Sequence, residues 1–92
     1  MRRMVTFVFT KQAEKVFLKL PKAIQKRMIF KLRELKHHDD VLSLLKRLTH
    51  FEPATHRLRI GMYRLVLELK TQTEKDFEFF VLDVGHRRDI YR

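Results

Sequence analysis

The stretch HRLRIGMYRLVLEL, His56 to Leu69, decides the fold. Apolar residues recur at every second position on both sides of Gly61, the period of a half-buried strand, and a glycine at the break supplies a tight turn. Side chains alternate across a strand, so parity sorts them into faces. Leu58 and Ile60 take one face of the first strand (His56 to Ile60), leaving Arg57 and Arg59 on the other. In the second strand, Met62 to Leu69, the residues Tyr63, Leu65, Leu67 and Leu69 form an apolar face opposite Arg64, Val66 and Glu68. The polar segment Thr71 to Asp76 reads as a second turn, and Phe77 to Val84 as a third strand. There, Phe80, Leu82 and Val84 are the expected core set, with Phe79, Val81 and Asp83 opposite and Arg87 following them.

Outward from this meander, the N-terminal half is helical behind one strand. Arg3 to Phe9 alternates, with Val5, Phe7 and Phe9 set against Thr6 and Val8. Thr10 is placed to cap a helix whose Ala13, Val16, Phe17 and Leu20 follow the i, i+3, i+4, i+7 spacing. Pro21 ends that helix and suits the first turn of the next, which runs to about Lys36 with Ile24, Met28, Leu32 and Leu35 on one stripe. The short connection predicts an antiparallel pair. After the polar break His37 to Asp40, Asp39 or Asp40 is placed to cap a short third helix through Leu45 or Leu48, and Pro53 separates this half from the meander. The expected architecture is α+β in one domain, residues 1–92. Its order is β-α-α-(short α)-β-β-β, with the helix pair on one face of a twisted, mainly antiparallel four-stranded sheet. The pattern leaves open where the first strand joins.

Charge narrows the function. With 21 Lys+Arg against 11 Asp+Glu in 92 residues, the chain carries +10 and a pI near 10.4, which favours an anionic partner such as nucleic acid, a ribosome or an acidic protein. No stretch approaches the roughly 20 apolar residues of a membrane span, and the run after Met1-Arg2-Arg3 is too short for a signal peptide. The absence of Cys excludes disulfides and thiolate metal sites, and cytoplasmic placement is expected. His37, His38, His50 and His56 show no ligand spacing, so neither metal nor cofactor is expected.

The candidate site is the sheet face bearing Arg57, Arg59, Arg64 and Arg87. Guanidinium groups stay charged and offer planar donor forks that match phosphate oxygens in pairs. Charges on an open sheet face are commonly no more than a solvated surface. Here they share one sign, and like charges on neighbouring strands destabilise a sheet. Tyr91 lies next to this face, to pack on the sheet edge or to stack on an extruded base. His86 falls on the core side by parity, as a structural residue or a proton-transfer group. The second helix carries Lys22, Lys26, Arg27, Lys31 and Arg33 on its outer side, for solubility or for binding RNA and the ribosome.

Four segments carry a family resemblance: LPKAIQKRMIFKL (Leu20 to Leu32), LLKRL (Leu44 to Leu48), RLRIGMYRLVLE (Arg57 to Glu68) and VGHRRDIY (Val84 to Tyr91). Together they resemble the RelE/ParE superfamily of toxins from toxin–antitoxin pairs, over nearly the whole chain. The resemblance implies a toxin that enters the ribosomal A site, cuts mRNA there, and is held inactive by an acidic, RelB-like antitoxin. It also implies a catalytic set of Arg57, Arg59, Arg64, Arg87 and Tyr91. Known RelE enzymes have lysines at the positions of Arg57 and Arg59; lysine can be tuned to accept a proton and arginine cannot. Either His86 then supplies acid–base chemistry or catalysis rests on positioning and electrostatics. The alternative implied by the same superfamily is a ParE-like inhibitor of DNA gyrase without nuclease activity.

Overall fold

The computed structural model describes residues 4–86. Strand β1 (Met4–Phe9) leads into helix α1 (Lys11–Leu18) and helix α2 (Lys22–Lys36). A single 3-10 turn (Val41–Leu44) precedes strands β2 (Lys46–Arg47), β3 (His56–Ile60), β4 (Tyr63–Gln72) and β5 (Asp76–His86). The five strands form one sheet in the order β1-β5-β4-β3-β2. The β2–β5 pairings are antiparallel, and β1 lies parallel to β5 at one edge.

The helices start and stop for local reasons. Thr10 Oγ1 accepts the Ala13 N–H at 3.1 Å, the N-cap expected from sequence. Between the helices, Gln25 is buried and its Nε2 donates to the carbonyls of Leu18 (3.2 Å) and Leu20 (2.8 Å). One side chain thus satisfies acceptors that the end of α1 leaves open. Helix α1 lies mainly on β5, while α2 reaches β1 and β3. Their buried residues, Ala13 from α1 and Met28, Leu32 and Leu35 from α2, meet Val5, Leu58, Leu65, Leu67, Phe79 and Val84 in one core.

Three sequence expectations are corrected. The sheet has five strands, not four, because Lys46 and Arg47 pair with Arg57 and His56. The expected short third α-helix is the 3-10 turn, ended by the extended backbone of Leu45 (φ −108°, ψ 150°). Asp40 stands at its N-cap position, but its side chain makes no capping bond. Pairing the open edge of β3 outweighs the helical propensity of LLKRL, since propensity is a weak prior.

The third correction concerns β5. Its core residues are Phe77, Phe79, Val81 and Val84, whereas Phe80 and Leu82 are only half-buried. The register explains the change of parity: Val66 pairs with Asp83 but Leu67 with Val81, so Leu82 is an extra residue in a bulge. A bulge reverses which face each following side chain takes. Thr10 Oγ1 lies 3.5 Å from the Leu82 carbonyl, and the Thr10 N–H donates to Val81 O at 3.1 Å, tying the start of α1 to this irregularity.

Candidate nucleic-acid interface

The face of the sheet turned away from the helices carries two rows of side chains across the strands. In one, Lys46, Arg57, Val66 and Asp83 are successive cross-strand partners; in the other, Arg59, Arg64 and Gly85 are. Partners in an antiparallel pair sit with Cα atoms about 4.5–5.5 Å apart, so each row brings two cations into adjacent positions. Gly85 contributes no side chain beside Arg64. Two carboxylates share this face: Glu68 pairs with Lys70 at 3.6 Å, and Asp83 Oδ1 accepts the Val84 N–H at 2.9 Å.

The arginines differ in exposure. Arg59 is exposed and Arg57 half-buried. Arg64 lies on the expected face but is only 4% exposed, and its Nη1 donates to the carbonyls of Tyr63 (3.1 Å) and Gly61 (3.4 Å). It is a fixed charge within the face rather than a mobile surface cation. Arg87 and Tyr91 lie outside the described residues. His86 is on the other face, opposite Tyr63, with ring centroids 5.4 Å apart, so the structure does not bring it to the arginine rows.

Arg59 also joins the sheet to the basic side of α2. With Lys26, Arg27, Phe30, Lys31, Ile60 and Gly61 it lines an open cleft of about 540 Å³ at the hairpin end. The Arg27 guanidinium lies against Gly61, where an added Cβ would stand 3.0 Å from Nη2. Gly61 adopts φ +59°, the left-handed conformation the turn demands. Lys22 and Arg33 are exposed on α2 and do not line this cleft.

Three residues escaped the sequence reading. Lys46, Arg47 and Phe51 line a second cleft, of about 420 Å³, with Leu48, Thr49, Ala54, Arg57 and Val66. Lys46 was hidden because a two-residue strand has no periodicity to read. The available signal was chemical: a strand with cations on one face and an open edge invites a partner strand. Beneath this edge, His56 is buried against Phe79 (centroids 5.8 Å) with Nδ1 2.9 Å from Thr55 Oγ1. Burial, and secondarily the nearby Arg47 charge, lowers its pKa from the usual 6.5. Among the described residues no group of three or more His, Asp or Glu side chains converges as a metal site, and no helix is long and apolar enough to cross a membrane.

Helices on one face of a bulged, mixed sheet and cations on the other define a small basic α+β protein. A chain of the crystal structure of the RelBE2 toxin–antitoxin complex from Mycobacterium tuberculosis superposes with TM-score 0.65 and 27% identity, covering 97% of each chain. The present chain is RelE-like in fold along nearly its whole length, as the sequence resemblance implied. No family model matches it, and no curated protein does.

Proposed function

We propose that this chain is the toxin of a toxin–antitoxin pair and that it cuts mRNA on the ribosome. The observation that carries the reading is the pair of cation rows, Lys46–Arg57 and Arg59–Arg64, on a rigid sheet face. Guanidinium groups set in adjacent positions offer donor forks that match the oxygens of a bound phosphate.

In the proposed reaction the 2′-hydroxyl oxygen of the substrate attacks its own adjacent phosphorus. The bond from phosphorus to the 5′-oxygen breaks, leaving a 2′,3′-cyclic phosphate and a 5′-hydroxyl. The 2′-hydroxyl loses its proton and the departing 5′-oxygen gains one. Arg57 and Arg59 bind phosphate oxygens, while Arg64, held by two carbonyls, adds a preorganised positive charge within the face. Guanidinium groups do not accept protons at ordinary pH. Lys46, opposite Arg57, adds an amine to the same row, and His86 lies on the other face. Arg87 and Tyr91 complete the set by resemblance. The α2 cations Lys26, Arg27 and Lys31 extend the same positive surface toward ribosomal RNA, and Lys22 and Arg33 flank it. An acidic antitoxin of the RelB kind covers these cations until it is removed; the superposed neighbour is itself a toxin–antitoxin complex.

The test is single-turnover cleavage of mRNA on programmed ribosomes. Removing one preorganised charge donor costs on the order of 100- to 1000-fold in rate, so Arg59→Ala and Arg57→Ala should each fall by that much. Variants that fold and cut at the wild-type rate would dismiss the sheet face as the site.

A further inference from the structure

Between β2 and β3 the chain turns through Leu48 to Thr55, and this loop holds a phenylalanine out in solvent: Phe51 is 64% exposed. A lone exposed apolar side chain needs no explanation. Phe51 is not alone, because it shares the 420 Å³ cleft with the apolar Leu48, Ala54 and Val66 and with the cations Lys46, Arg47 and Arg57. Among the described residues no carboxylate lines that cleft. The volume is at the low end for small-ligand sites, on the scale of one nucleotide.

The loop is tied down at both ends. The Leu48 N–H donates to Thr55 O at 2.9 Å, and the Ala54 N–H to Phe51 O at 2.9 Å. The Thr55 N–H donates to Leu67 O at 2.8 Å, and Thr55 Oγ1 accepts the Leu69 N–H at 2.8 Å. The aromatic ring is therefore presented by a braced loop, and a braced platform loses little entropy when something stacks on it.

We propose that this cleft seats one unpaired nucleobase of the RNA, stacked on Phe51, with Lys46, Arg47 and Arg57 holding the phosphates that flank it. The assignment rests on the RNA-directed reading above and adds a subsite to it. An aromatic face binds any base, because every base has a π-face, and the surrounding cations follow the backbone. Arg57 lies both in this cleft and in the cation rows, so a nucleotide seated here is adjacent to the phosphate proposed for cleavage. An acidic protein segment would match the cations equally well. It would not need a flat aromatic wall continuous with a phosphate site.

The experiment measures binding of the full chain to a short, fluorescently labelled, 2′-O-methylated single-stranded RNA by anisotropy, beside the same oligonucleotide with one abasic position. Wild type should bind the abasic strand more weakly, by on the order of 5- to 100-fold, the effect of one lost base–aromatic stack. Phe51→Ala should lose about as much for the intact strand, lose nothing further for the abasic strand, and keep the wild-type circular dichroism spectrum. Phe51→Tyr should restore the discrimination, while Arg57→Ala should weaken both strands alike. Equal binding of the intact strand by wild type and Phe51→Ala overturns the seat and leaves the RNA reading standing. Failure of wild type to bind either strand overturns both. A Phe51→Ala defect confined to binding an acidic antitoxin would give the cleft to a protein and also overturn the assignment.

Discussion

Phe79 and Phe80 are neighbours in β5 that face opposite sides of the sheet, and exchanging each for alanine should have very unequal costs. Phe79 is 0% exposed and in contact with Phe7 (5.5 Å, stacked), Phe77 (6.3 Å) and His56 (5.8 Å, edge-on). Truncating a phenylalanine in such a core costs about 3–5 kcal/mol. Phe80 is half-buried, with Lys70 Nζ 5.4 Å from its ring centre. Half the burial of a phenylalanine is worth about 1 kcal/mol, and an exposed cation–π contact adds roughly 0.5. A domain of this size has a total stability of about 5–14 kcal/mol. Phe79→Ala should therefore lower Tm by roughly 12–40 °C and Phe80→Ala by roughly 6–12 °C. Urea titrations followed by far-ultraviolet circular dichroism measure the difference directly. If Phe80→Ala costs as much as Phe79→Ala, β5 has no bulge at Leu82, and the placement of Asp83 and Gly85 beside the arginines is wrong.

Further outcomes follow from single features. His56 has a lowered pKa, so the unfolded chain binds a proton below about pH 6.5 that the folded chain resists. Stability should be full above that pH and fall on acidification below it, and His56→Gln should flatten the slope in a pH series of denaturant titrations. Gly61→Ala, at φ +59°, should cost about 1–2 kcal/mol in thermal unfolding, chiefly from backbone conformation, because the Arg27 side chain is able to move aside. Replacing Lys26, Arg27 and Lys31 together by Gln should weaken ribosome binding and reduce the salt dependence of log K by about 2–3, read by co-sedimentation at several salt concentrations. Unchanged binding would make the α2 stripe a solvated surface.

The meander was legible because its alternation is unbroken where it matters: Leu58, Ile60, Leu65 and Leu67 are buried as parity demanded, and Arg57, Arg59 and Arg64 share the other face. The helices were legible from Thr10, Pro21 and the Met28–Leu32–Leu35 stripe. Parity failed in β5 because Phe79, Phe80, Val81 and Leu82 are all apolar, so nothing in the pattern marks the extra residue at Leu82. The edge strand at Lys46 was invisible for a different reason. Its two residues are extended only because β3 offers them hydrogen bonds, a tertiary effect that local sequence does not encode. The same omission concealed Lys46 as a neighbour of Arg57 and the cleft around Phe51. The burial of Arg64 was equally hidden, since alternation specifies a face and not an exposure.

The central claim is tested most directly by mapping 5′ ends of an mRNA with a defined codon in the ribosomal A site, beside a gyrase supercoiling assay. The account predicts cleavage within that codon by wild type, with a 5′-hydroxyl on one fragment and a 2′,3′-cyclic phosphate on the other, loss of cutting in Arg59→Ala, and unaffected gyrase. Intact mRNA with inhibited gyrase would contradict it and make the chain a gyrase inhibitor on a RelE-like fold.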